Sequence, residues 1–147
     1  MQNNFLKNKK IILSAGASGI GLATVKLLLS QGAFVYTCDI DKKNINKLKK
    51  NPYFNKKLFI SECDASKEDE VKKFYKEVSN KTKTIDGLIN NIGIAGPTSP
   101  LEKIKSDDWE KTIHVNVNSH FYFTKYAIPM IKLSLIHISE PTRQDSI

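Results

Sequence analysis

The chain has 147 residues, of which 40% are hydrophobic and 26% charged, and carries a formal net charge of +8 at pH 7. That length suits one domain with its own core, and no run approaches the roughly 18 consecutive apolar residues of a membrane span. The lysines stand singly or in pairs on several segments with no aromatic platform between them, which reads as solvated faces in preference to a nucleic-acid surface, and no nucleic-acid partner is expected. Met1 to Lys10 has no apolar h-region, so a cytoplasmic location is expected. Cys38 and Cys63 each end an apolar run without metal-ligand or CxxC spacing, so they are read as core residues and no metal site is expected.

In chain order, Ile11-Ile12-Leu13 is a short buried strand, and Ser14 to Gly21 turns it into a helix running from Ile20 until Gly32 stops it. Gly16, Gly19 and Gly21 let the backbone turn sharply, let a ligand approach the main chain and let the helix pack close to the strand. The free N–H groups that open the helix then face an anion such as a pyrophosphate. A second strand, Ala33 to Cys38, ends at Asp39, where a dinucleotide fold places an acid that accepts from the adenosine ribose hydroxyls. Asp41 caps a helix over Lys42 to Lys50 with Ile45 and Leu48 inward, and Asn51-Pro52 ends it.

A third strand runs from Lys57 to Asp64, and Ser66 is expected to cap a helix whose Val71, Phe74, Tyr75 and Val78 share one face. A fourth strand, Asp86 to Asn91, ends in two amides, and a long helix is expected from Asp107 to Lys132. The alternation predicts an α/β fold with a doubly wound parallel sheet. In such a sheet ligands sit at the carboxyl ends of the strands, where Gly16 to Gly21, Asp39, Asp64 and Asn91 all fall. Asn90 is read as a tie between strands, Asn91 as a ligand contact or a tie, and His114 and His120 as structural. Asn116, a poor helix former amid Val115, Val117 and Phe121, has an amide to satisfy and so suits a polar task inside the helix.

Residues 9 to 132 resemble the N-terminal half of a short-chain dehydrogenase/reductase. Ser14 to Gly21, including Ser18 and Ile20, is similar to the family's Thr-Gly-x-x-x-Gly-Ile-Gly. Cys63-Asp64-Ala65-Ser66 resembles the stretch with its adenine-contacting Asp, and Asn90-Asn91-Ile92-Gly93 resembles Asn-Asn-Ala-Gly. The resemblance implies a Rossmann fold with Gly16, Ser18, Gly19, Ile20, Gly21, Asp39, Asp64, Ala65, Asn91 and Gly93 at a dinucleotide. It also implies Asn116 as the catalytic asparagine, holding a water that links the family's active-site lysine to solvent.

Two positions depart from the family pattern. Ala15 replaces its first glycine, so either the turn relaxes there or Gly16 takes the strained conformation; Ile92 replaces an alanine and presses on the cofactor's ribose region. NAD is expected over NADP, because Asp39 would face a 2′-phosphate with like charge and Ser18 and Ile40 stand where NADP enzymes of the family place basic residues. Lys42 and Lys43 lie nearby.

The family's chemistry also needs a serine after a fifth strand and a Tyr-x-x-x-Lys pair on the next helix. The single match, Tyr53 to Lys57, lies in the loop before the third strand and is read as coincidence. Leu133 to Arg143 resembles the in-frame translation of a sequencing-library transposase adapter, and among the 23 basic residues all but Arg143 are lysine. Residues 1–132 are therefore expected to be an incomplete dinucleotide-binding domain, truncated after the fourth strand and the long helix, with 133–147 a non-native tail. The rival is a genuine fifth strand over Leu135 to Ser139.

The expected function is that of an NAD-dependent oxidoreductase of a secondary alcohol or ketone, inactive as this fragment and, when whole, a homo-oligomer paired through the long helix. The alternatives are a non-catalytic dinucleotide-binding protein and a Rossmann-like S-adenosylmethionine-dependent methyltransferase.

Overall fold

The computed structural model describes residues 4–52 and 56–136. Strand β1 (Lys10–Ser14) lies between β2 (Phe34–Asp39) and β4 (Gly87–Ile89), and β3 (Leu58–Glu62) borders β2, giving a parallel sheet in the order β3-β2-β1-β4. β1 and β2 are in register from Lys10 opposite Phe34 to Ser14 opposite Cys38, which brings Ser14 and Asp39 to the same end of the sheet. β4 is shorter than expected: its pairing with β1 stops at Ile89, and the Asn91 N–H turns to the Ser14 hydroxyl at 3.0 Å instead of the ladder.

Side chains alternate across the strands, so each face of the sheet buries its own layer. On one face Ile11, Leu13 and Val35 pack against Val25 and Leu28 of α1 (Gly19–Ser30), and Ile60 packs with Ile45 and Leu48 of α2 (Lys42–Lys49). On the other, Ile12, Tyr36 and Cys38 pack against Val71, Phe74, Tyr75 and Val78 of α3 (Glu68–Ser79) and Phe123, Ala127 and Met130 of α5 (Ser119–Ile136). The Tyr75 hydroxyl donates to the Phe123 carbonyl at 2.7 Å inside this layer. α1 stops as expected at Gly32, whose φ of 88° an L side chain rarely adopts. Asp41 caps α2, accepting the N–H groups of Lys43 and Asn44.

Several local expectations are corrected. Ser66 does not cap α3: its hydroxyl donates to Asp64 Oδ1 at 2.7 Å, and Lys67 occupies the cap position without a side-chain bond. Glu70 instead reaches back to accept the Asp64 N–H at 2.7 Å, and Glu68, Asp69 and Glu70 place negative charge in the first turn, where the helix dipole favours it. Asn90 ties its strand end to α5, donating to Thr124 Oγ1 at 3.2 Å, not to a neighbouring strand.

The single long helix is in fact α4 (Ser106–Ile113), a π-helical turn over His114–Asn118, and α5. Two β-branched residues alternating with asparagines are poor α-formers, and the wider turn sets Asn116 against the Ile94 backbone. α5 continues past Lys132 to Ile136, so Leu135 and Ile136 are helical and the fifth-strand reading fails there. Residues 137–147 and Tyr53 lie outside the described residues. Among the described residues no helix is long and apolar enough to cross a membrane.

Candidate cofactor site

The site is built where β1, β2 and β4 end together. At the glycine turn, Gly16 packs so closely that an added Cβ would lie 2.1 Å from Thr37 Oγ1, and one on Gly21 would lie 1.9 Å from the Ala15 carbonyl oxygen. These two glycines seat α1 against the strand ends. Gly19 differs: its φ is +50° and nothing lies within 4 Å of where its Cβ would be, so the main chain there is open to a ligand. The first bond within α1 runs from the Leu22 N–H to the Ser18 carbonyl. The N–H groups of Gly19, Ile20 and Gly21 therefore precede the helical ladder, and no acidic residue stands in that first turn to compete for them. A cradle of small residues with outward N–H groups fits a pyrophosphate.

Ala15 itself takes the left-handed conformation, with φ 57°. Neither expected alternative occurs: the turn is not relaxed there and Gly16 is not the strained residue. The strain, on the order of 1–2 kcal/mol for an L residue, is held in place by Asn91, whose Nδ2 donates to the carbonyls of Ser14 at 3.2 Å and Ala15 at 3.0 Å. Asn91 is thus seen as a tie that shapes the turn.

Asp39 is buried at the end of β2. Its Oδ2 accepts the Ala17 N–H at 3.0 Å and its Oδ1 the Asp41 N–H at 3.1 Å. Each oxygen keeps an acceptor site, and the residue borders a cavity of about 510 Å³. That cavity also meets Ser18, Asp64, Ala65 and Gly93 among the residues singled out in the sequence. Burial pushes the Asp64 carboxyl up, but the Ser66 hydroxyl and N–H and the Lys67 ammonium outweigh it and hold the pKa below its ordinary value. Asp64 is therefore an ionised acceptor at neutral pH.

Gly16, Gly19, Ile20, Gly21, Asn91 and Asn116 shape the region without bordering this cavity, Ile20 being 80% exposed. Asn116 grips the loop after β4: its Nδ2 donates to the Ile94 carbonyl at 2.9 Å and its Oδ1 accepts the Ile94 N–H at 2.7 Å. His120 Nε2 meets the Ile92 carbonyl at 2.9 Å on the same loop, as a structural histidine should. Ile92 packs partly into the α3–α5 layer and also borders the cavity.

Ile94, Lys111, His114 and Val115 border the cavity too, and sequence reasoning gave none of them a ligand role; Ile40, also at the cavity, entered only as a position where NADP enzymes of the family carry a basic residue. Adjacency to Asp39 was a usable signal for Ile40. For Lys111 of α4 and for His114 and Val115 of the π-helical turn none existed, because which helix face meets the strand ends is set by tertiary packing. Cys38 and Cys63 are buried at the cavity floor as core residues. The hydrogen bond to Cys63, then burial, push the Cys38 thiol well up, so it is no nucleophile. Among the described residues no cluster of His, Cys, Asp or Glu could hold a metal ion.

A parallel sheet wound by helices on both faces, with a glycine turn and a cavity at its carboxyl ends, defines a Rossmann-type domain. The family model of the short chain dehydrogenases matches residues 9–136, and the chain belongs to that family. It is similar to a 3-oxoacyl-acyl-carrier-protein reductase of Thermotoga maritima, 33% identical over 139 residues, covering 91% of this chain and 56% of that protein. It also resembles 3beta-hydroxysteroid dehydrogenase 2 of Eggerthella lenta, 29% identical over 127 residues, covering 86% and 49%. Among solved structures, Cj0485 dehydrogenase superposes with a TM-score of 0.76 at 28% identity, covering 90% of this chain and 50% of that one. A short-chain dehydrogenase/reductase from Brucella melitensis gives 0.79 at 25%, covering 89% and 54%. The chain thus spans about half the length of the relatives it matches.

Proposed function

We propose that this chain is the adenosine-binding half of an NAD-dependent oxidoreductase that interconverts a secondary alcohol and a ketone. The observation that carries the reading is Asp39, an acid at the end of β2 beside the glycine turn, with acceptor capacity left on both oxygens. A 2′-phosphate there would meet like charge, which disfavours NADP. In the proposed arrangement the N–H groups of Gly19, Ile20 and Gly21, with Gly16 and Ser18, take the pyrophosphate. Asp39 takes the adenosine ribose, Asp64 and Ala65 the adenine edge, and Asn91 and Gly93 keep the backbone close to the dinucleotide. When bound, the nicotinamide supplies hydride transfer.

Asn116 keeps the loop of Gly93 and Ile94 in position, and the family resemblance assigns it a place in a proton relay. The serine and the Tyr-x-x-x-Lys pair that the relay serves belong, on this proposal, to the half that the relatives possess beyond the matched region. On this proposal residues 1–132 are an incomplete domain and 133–147 a non-native tail, whose first four residues prolong α5 and fall within the family match, and the fragment alone is inactive. The setting is cytoplasmic. Trp109, Val117, Phe121 and Ile128, exposed along α4 to α5, are apolar enough to pair subunits, so the whole protein is proposed as a homo-oligomer.

The names of the relatives, a 3-oxoacyl reductase and a hydroxysteroid dehydrogenase, are consistent with hydroxyl or keto substrates. Titrating the chain with NAD and, separately, S-adenosylmethionine tests the reading. Saturable NAD binding with none for S-adenosylmethionine supports it; the reverse would make the chain a methyltransferase-like domain.

A further inference from the structure

Two residues that nothing above assigns to a ligand, Lys111 and His114, border the cavity from α4 and the π-helical turn. His114 is exposed, and its Nδ1 lies 2.9 Å from Asn118 Nδ2. An amide nitrogen can only donate, so Nδ1 is the acceptor of that bond and the ring proton of the neutral imidazole is on Nε2. With the Asn118 amide so oriented, His114 has an Nε2–H that no described group engages. Around them the cavity has apolar walls in Ile40, Ala65, Ile94 and Val115, the hydroxyls of Ser18 and Ser66, and two carboxylates, Asp39 at the end of β2 and the ionised Asp64 after β3.

We propose that His114 is a specificity-determining residue that reads the purine of the bound dinucleotide, its Nε2–H donating to a ring nitrogen beside the amino group that Asp64 accepts. This rests on the NAD-site reading above. Adenine has the complementary edge, an exocyclic N–H donor flanked by the ring acceptors N1 and N7. Hypoxanthine and guanine place a carbonyl oxygen where that amino group stands, and Asp64 would repel it. The histidine donor and the carboxylate acceptor together select a 6-aminopurine, while the apolar walls accept any flat ring. Lys111, three residues earlier, borders the same cavity.

The test is calorimetric titration of the 147-residue chain with ADP-ribose, its hypoxanthine counterpart and its 1-deaza and 7-deaza adenine analogues, for the parent chain, His114→Leu and His114→Gln. Loss of one neutral hydrogen bond predicts an approximately fivefold weaker ADP-ribose affinity for His114→Leu, with recovery in His114→Gln, whose amide restores a donor near Nε2. One of the two deaza analogues should bind parent and His114→Leu alike, since the acceptor is already gone, and the hypoxanthine counterpart should bind the parent more weakly than ADP-ribose. The inference is overturned if ADP-ribose binds and His114→Leu leaves its affinity unchanged, or if the loss is equal for all four ligands. Failure of the parent to bind ADP-ribose at all would overturn the nucleotide-site reading itself and this inference with it. Unfolding temperatures of the variants, expected to match the parent because His114 is exposed, separate misfolding from lost recognition.

Discussion

Asp39 Oδ2 accepts the Ala17 N–H at 3.0 Å, so the acid that ends β2 also clamps the turn that starts α1. Ala17 is buried, and removing the carboxylate leaves its N–H without an acceptor. Asp39→Ala is expected to lower stability by about 1–3 kcal/mol, the cost of an unpaired buried donor, and Asp39→Asn by less, because its amide keeps one oxygen acceptor. Denaturant melts of the two variants check this; an unchanged Asp39→Ala midpoint would mean that the clamp contributes nothing.

Ala15 sits at φ 57°, where an L residue is strained and glycine is not. Ala15→Gly is expected to stabilise the chain by up to about 1 kcal/mol, the relief of strain less the extra chain entropy of glycine. A lower melting temperature for this variant would show that the turn is not strained.

The glycines of the turn should differ in their tolerance of alanine. Gly19→Ala keeps open space around the new Cβ and carries only the backbone penalty of φ +50°, on the order of 1–2 kcal/mol. Gly21→Ala would place a Cβ 1.9 Å from the Ala15 carbonyl oxygen, which is backbone and cannot swing aside, so it should cost more and displace α1. Equal melting temperatures for the two would contradict the packing described.

Acid should destabilise the fold through paired carboxylates. For Asp86, burial pushes the pKa up, but the Lys10 N–H and the Lys9 ammonium outweigh it and hold it low; Asp64 is held low in the same way. A carboxyl with a depressed folded pKa is protonated first in the unfolded chain. Its contribution is therefore complete above the ordinary aspartate value of about 4 and is lost as pH falls through the lower folded value. Melting temperature should hold steady down to about pH 5 and fall below about pH 4, with a shallower fall in Asp86→Asn. A rise in stability on acidification from pH 5 to 3 would contradict this.

The sheet, its helices and the placement of the glycine turn, Asp39 and Asp64 at one end were legible because strand and helix periods and the turn glycines are local signals. The helix after β4 was not, since the π-helical turn depends on Asn116 meeting the Ile94 backbone 22 residues away in sequence. The Ser66 cap failed for a similar reason: Asp64 took its hydroxyl, and Glu70 supplied the reciprocal bond from within the helix. Ala15 was misread because the strain could be shared in sequence terms between two neighbours, and the ties from Asn91 that settle it are long-range. His114 was legible only as a helix residue, since the cavity it borders exists only once α4 packs over the strand ends.

The measurement that bears most directly on the account is a paired titration of NAD and NADP against the chain, with Asp39→Ala alongside. Like charge between Asp39 and the 2′-phosphate predicts that NAD binds at least about tenfold more tightly than NADP and that Asp39→Ala narrows the gap. NADP binding as tightly as NAD to the parent chain would contradict it.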